Sequence, residues 1–183
     1  MRSYNFSAGP SMLPLEVLEQ AQADFVDYQG CGMSVTEMSH RSKQFDAIHN
    51  ECISLIRELM GVPENYEVLL VQGGASTQFA AIPMNLLKSG KADYVVTGNF
   101  AKKAMQEARK YGDIHVAGSS EEAKFTYIPK DLDVRADADY LYICQNNTIF
   151  GTRFTRLPEC EMPLVADVSS NILSEEMDVS KYG

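Results

Sequence analysis

From Ser42 to Met60, apolar side chains at Phe45, Ile48, Cys52, Leu55 and Leu59 recur at helical spacing, and Gly61 with Pro63 just beyond supplies a stop. This pattern predicts an amphipathic helix. Glu67 to Val71 reads as a short strand, followed by a helix from about Ser76 to Leu87 that Pro83 is expected to bend. Tyr94 to Thr97 reads as a buried strand, Phe100 to Tyr111 as a helix rich in Ala and Lys, and Ile114 to Ala117 as a strand closed by Gly118. Tyr140 to Cys144 and Leu164 to Ala166 are two further strands, each ending at polar residues. Strand and helix in turn predict right-handed crossovers and an α/β fold with a mainly parallel sheet flanked by helices. Ligand chemistry is then expected at the carboxyl ends of the strands.

Four short sequences fall at such ends: "QGGAST", "GNF", "QNNTIFG" and "DVSS". In the first, Gly73 and Gly74 permit a tight turn, and Ala75, Ser76 and Thr77 open a helix with unpaired N–H groups aimed outward, which is how a phosphate is held. Ser76 or Thr77 acting only as a helix cap is the alternative. Asp167 follows an apolar strand directly, so its carboxylate should be partly buried and should need a cation or donors nearby. A helix cap or a metal ligand are its other roles. No His-rich or acidic cluster accompanies it, and no metal site is expected.

The chain has 183 residues, 45% hydrophobic and 22% charged, enough for one domain with a buried core. Its net charge of -9 disfavours nucleic acid and anionic membrane surfaces as partners, so a small anionic substrate would need a locally positive pocket. No apolar run approaches the length of a membrane span, and "MRSYNFSAGPSML" lacks the order of a signal peptide; the chain reads as cytoplasmic. Cys31, Cys52, Cys144 and Cys160 show no short zinc-type spacing and read as buried or incidental thiols. "QGGAST" also lacks the P-loop lysine and the dinucleotide glycine spacing, which disfavours a nucleotide-binding domain.

The ordered motifs "NFSAGPSMLP", "SVTEMSHRSKQF", "QGGASTQFAAIPMNLL" and "VADVSSNILSEEMDVSKYG" together resemble the phosphoserine aminotransferases, class-V members of the fold-type I enzymes that use pyridoxal 5'-phosphate (PLP). The resemblance implies a large α/β domain, a small C-terminal domain and a homodimer with active sites at its interface. The implied reaction is amino transfer between L-glutamate and 3-phosphohydroxypyruvate, giving O-phospho-L-serine and 2-oxoglutarate in serine biosynthesis, with a role in pyridoxine synthesis in some members. Carried over position by position, it implies that Ala75 and Ser76 bind the cofactor phosphate, that Asp167 pairs with the pyridine nitrogen and that Thr148 donates to an oxygen of PLP. Phe100 matches the ring-stacking position, where many relatives carry Trp. His40 and Arg41 match residues that bind the anionic groups of the substrate and that reach it from the neighbouring subunit. Ala8 stands where some relatives have a serine near the substrate. His49 and His115 match no site motif and read as surface or satisfied polar residues.

The family places its Schiff-base lysine in a strand shortly after the position of "DVSKYG", beyond Gly183, and neither Lys88 nor Lys181 matches it. The expectation is therefore that residues 1–183 are the N-terminal arm and part of the large PLP-binding domain of a longer enzyme. On that expectation the chain holds no catalytic lysine and is inactive by itself. A non-catalytic module that binds PLP or another anion, or that dimerises, is the competing reading.

Overall fold

The structure, a computed structural model, describes residues 2–7 and 9–183, so Ala8 lies outside the described residues. It falls into two compact units, Met1–Leu59 and Met60–Gly183.

The first unit holds helix α1 (Leu15–Asp24) and most of helix α2 (Lys43–Met60). The predicted helix forms, and Ser42 Oγ accepts from the Phe45 N–H at 3.2 Å to cap it. Its apolar stripe is nevertheless not buried: Leu55 and Leu59 are exposed, and neither helix has a buried residue. Upstream, Ser34 and Glu37 form a reciprocal capping box.

The second unit is built on a four-stranded sheet. Strand β1 (Lys91–Val96) pairs in parallel with β2 (Asp113–Ser119) and with β3 (Leu141–Cys144). A two-residue hairpin of β4 (Asn146–Asn147) and β5 (Thr152–Arg153) follows β3, and β6 (Leu164–Asp167) pairs in parallel with β3. The order β2-β1-β3-β6 confirms the parallel α/β sheet. It also means that the chain leaves β1 toward β2 on one side and later returns to β3 on the other. The gap between the carboxyl ends of β1 and β3 is thus a topological switch point, the place where open α/β sheets bind ligands.

Two expectations need correction. Glu67–Val71 forms no strand: no β-ladder among the described residues runs through it, and Leu69, Leu70 and Val71 are exposed. Apolar, β-branched composition favours an extended segment, but a strand exists only with a partner's ladder beside it. Gly118 does not close β2 but lies within it, at a bulge where the register passes from Tyr94↔Val116 to Val95↔Gly118. A Cβ at Gly118 would stand 2.6 Å from Leu132 Cδ2, so close approach explains the glycine.

Alternation along the strands divides the core into two faces. Tyr94, Val96, Tyr140 and Tyr142 point to one, where helix α3 (Gly74–Leu86) packs through Ala75, Phe79 and Ile82, and helix α4 (Asn99–Ala108) through Ala104, Met105 and Ala108. Val95, Leu141, Ile143 and Leu164 point to the other, covered by irregular chain that includes Ile128, Leu132, Phe154 and Leu157. Pro83 is accommodated inside α3, which runs on to Leu86.

Candidate functional site

The turn into α3 is shaped by its glycines. Gly73 has φ +97° and Gly74 φ +60°, a region that side chains rarely adopt. At Gly73 space is short as well, because a Cβ would stand 2.2 Å from Thr77 Oγ1 and 2.7 Å from Thr77 Cβ. The Thr77 N–H reaches Gly73 O at 3.4 Å, whereas the N–H groups of Gly74, Ala75 and Ser76 donate to no described residue. Three unpaired donors at the start of a 13-residue helix, with the positive end of its dipole, could hold an anion. A Cβ at Gly74 would meet nothing within 4 Å, so there, unlike at Gly73, only the backbone conformation disfavours a side chain.

Asp167 ends β6 on the same face of the sheet as α3. It stands opposite Cys144, just beyond the pair Val165↔Tyr142, and both of those residues belong to the core under α3 and α4. Its Oδ1 accepts from the Ser169 N–H at 3.0 Å and from Ser169 Oγ at 2.6 Å. These are the donors that its half-buried position called for. Its Oδ2 accepts from no described residue and is free for a ligand. Two groups register the environment. Burial, and then the charge of Asp167, push the Cys144 thiol up to about 12 and the Tyr142 phenol well above its ordinary value. The Tyr142 hydroxyl is buried and has no hydrogen-bond partner among the described residues.

Phe100 is the second residue of α4, at the carboxyl end of β1. Its ring is 40% exposed, and Lys103 Nζ stands 5.7 Å from the centroid. Thr148 is exposed in the turn of the β4–β5 hairpin, its hydroxyl unengaged by described residues. Asn147, which the sequence reading passed over, is buried beside it and bonds to Thr97 at the end of β1. The twin asparagines of "QNNT" were its only signal. Ala75, Ser76, Phe100, Thr148 and Asp167 thus all lie in the second unit, at a helix start or a strand's carboxyl end. His40 and Arg41 lie in the first, in an exposed turn before α2 where the Arg41 N–H donates to Ser39 Oγ at 3.2 Å. Both side chains are unpaired among the described residues. His49 stacks on Phe45, ring centroids 6.5 Å apart, and His115 meets the carbonyl and carboxylate of Asp133.

The unpaired N–H groups at the start of α3, the part-exposed Phe100 and the Oδ2 of Asp167 all belong to the second unit. They sit on an α/β domain with a parallel sheet flanked by helices, the fold of the PLP-dependent aminotransferases. The chain belongs to the family Aminotransferase class-V, which it matches over residues 3–183. It is 56% identical over 186 residues to a phosphoserine aminotransferase of Bacillus cereus and 54% identical over 184 residues to one of Listeria innocua. Each match takes in 100% of this chain, and 52% and 51% of those proteins. Among solved structures, phosphoserine aminotransferase from Bacillus circulans subsp. alkalophilus superposes with a TM-score of 0.95 at 51% identity, over all of this chain and 52% of that one. The PLP-bound phosphoserine aminotransferase from Trichomonas vaginalis does so with a TM-score of 0.93 at 38% identity, with the same coverage. The chain spans about half the length of the relatives it matches.

Proposed function

We propose that this chain is the N-terminal arm and part of the large domain of a phosphoserine aminotransferase, which moves an amino group between L-glutamate and 3-phosphohydroxypyruvate. The single observation that carries the reading is the identity of 56% with a phosphoserine aminotransferase over the whole chain. The anion cradle at α3 and the open oxygen of Asp167, on one sheet face, support it.

PLP, when bound, supplies the electron sink that stabilises negative charge at the amino acid's Cα. The chain's own residues hold and tune it. The N–H groups of Ala75 and Ser76 would hold the phosphate, with the helix dipole adding to the attraction. Asp167, its Oδ1 held by Ser169, would pair through its remaining oxygen with the ring nitrogen and favour the protonated form of that nitrogen. Thr148 would donate its hydroxyl to a cofactor oxygen, and Phe100 would offer a ring face for stacking. Arg41 and His40 serve the substrate's carboxylate or phosphate in the partner subunit of a homodimer, for which Arg41's planar fork is suited. The exposed apolar side chains of the first unit, Phe6 and Phe25 among them, support such an association. The protein works in the cytoplasm.

The test is the Asp167→Ala variant of the full-length enzyme, assayed with glutamate and 3-phosphohydroxypyruvate. Turnover should fall about 100-fold or more, the scale on which loss of a transition-state charge partner acts, with the fold retained. Near-native turnover would remove Asp167 from its role. Failure of the wild-type enzyme to transfer the amino group would overturn the reading as a whole.

A further inference from the structure

The switch point between β1 and β3 is spanned by one buried amide. Thr97, fully buried at the end of β1, donates from Oγ1 to Asn147 Oδ1 at 3.3 Å, and Asn147 Nδ2 donates to Thr152 Oγ1 at 3.0 Å across the hairpin. The backbone of the β1–α4 turn closes on the same amide: a Cβ at Gly98 would stand 2.5 Å from Asn147 Oδ1. The φ of Gly98 is extended, so close contact with the amide, and not backbone conformation, accounts for the glycine. The Asn147 carbonyl in turn accepts from the N–H groups of Phe150 at 3.2 Å and Gly151 at 2.8 Å, which shapes the turn that carries Thr148. One side of the amide therefore meets the turn that leads into Phe100, and the other fixes the hairpin that presents Thr148.

We propose that Asn147 is a positioning residue for the cofactor: it sets the spacing between the Phe100 turn and the Thr148 turn, and through them the orientation of a phosphorylated aromatic ring at the switch point. The inference rests on the PLP reading above. An amide suits the task because it accepts from one hydroxyl and donates to another, using both ends at once. An Asp would lose the donor and bring an unpaired charge into a buried site. An Ala would leave the Thr97 hydroxyl unpartnered and the two turns unlinked.

The experiment uses the full-length protein freed of cofactor and titrated with PLP, read by absorbance and by the circular dichroism that the bound ring acquires. Asn147→Ala should weaken PLP binding about tenfold and change the induced dichroism, a signature that loss of general stability would leave unmoved. In a double-mutant cycle, Thr148→Ala should cost less in the Asn147→Ala background than in the wild type, because the hydroxyl is already misplaced. Should Asn147→Ala not fold, Thr97→Val carries the test: it should weaken PLP binding and alter the dichroism, and Thr97→Ser should restore both. Unchanged affinity and dichroism in the foldable variant, or strictly additive effects with Thr148→Ala, would overturn the positioning role while leaving the PLP reading intact. Failure of the wild-type protein to bind PLP would overturn both.

Discussion

The carboxylate of Asp93, fully buried at the amino end of the sheet, accepts from Arg135 Nε at 2.7 Å and from the Arg135 N–H at 2.6 Å. The same guanidinium donates to Asp113 Oδ2 and to the carbonyls of Ala92 and Asp113, so one arginine ties the starts of β1 and β2 at the pole opposite the site. Arg135→Leu should lower the unfolding free energy by about 3–5 kcal/mol, because it strands a buried charge. Urea denaturation of the chain checks this. A loss below about 1 kcal/mol would show that Asp93 finds other compensation.

Gly73→Ala and Gly74→Ala should separate strain from collision. Both positions have positive φ, so each substitution costs about 1–3 kcal/mol in backbone strain, but only at Gly73 would the new methyl meet Thr77. Titration with PLP should show a greater loss of affinity for Gly73→Ala than for Gly74→Ala. Equal losses would assign the effect to φ alone.

The three buried tyrosines make a second contrast. Tyr94 and Tyr140 share a hydroxyl–hydroxyl bond at 2.8 Å, while Tyr142 stacks on Tyr94 and has an unpartnered hydroxyl. Tyr140→Phe should cost about 1–3 kcal/mol, since it leaves the Tyr94 hydroxyl buried and alone. Tyr142→Phe removes no bond and should be neutral or stabilising in thermal unfolding. Marked destabilisation by Tyr142→Phe would reveal a partner for that hydroxyl.

Asp139 sets part of the acid limit of stability. Its burial works to raise the carboxyl pKa, but the N–H groups of Ser89 and Lys88, each 2.8 Å from Oδ2, outweigh it and hold the group below its ordinary value. A carboxylate lowered in the folded state contributes stability that is present above the unfolded value of about 3.9 and is lost as pH falls through the folded one. The stability gap between wild type and Asp139→Asn should therefore be full at pH 6 and shrink toward pH 3. A gap independent of pH would assign the difference to geometry instead of charge.

Spacing alone made α2, α3, α4 and four parallel strands legible, because a repeat of 3.6 or a short apolar run between polar ends is a local property of the chain. The same holds for the glycine turn into α3 and for Asp167, whose residue types announce a close backbone approach and a half-buried acid. Local pattern could not say that Glu67–Val71 would remain without a ladder, nor that Cys52, Leu55 and Leu59 of α2 would stay exposed, since both depend on what lies alongside. Nor could it reveal that Asn147 of "QNNT" is buried, or that Arg135 reaches two aspartates far from it in sequence. Those were decided by the strand order β2-β1-β3-β6, which sets β1 beside β3 and brings Thr97 to Asn147 across 50 residues of chain. The sequence by itself determined which groups could hold an anion and a ring. Only the tertiary structure decided which of them share a sheet face and which amide joins them, because pairing between distant segments depends on the packing of the whole sheet.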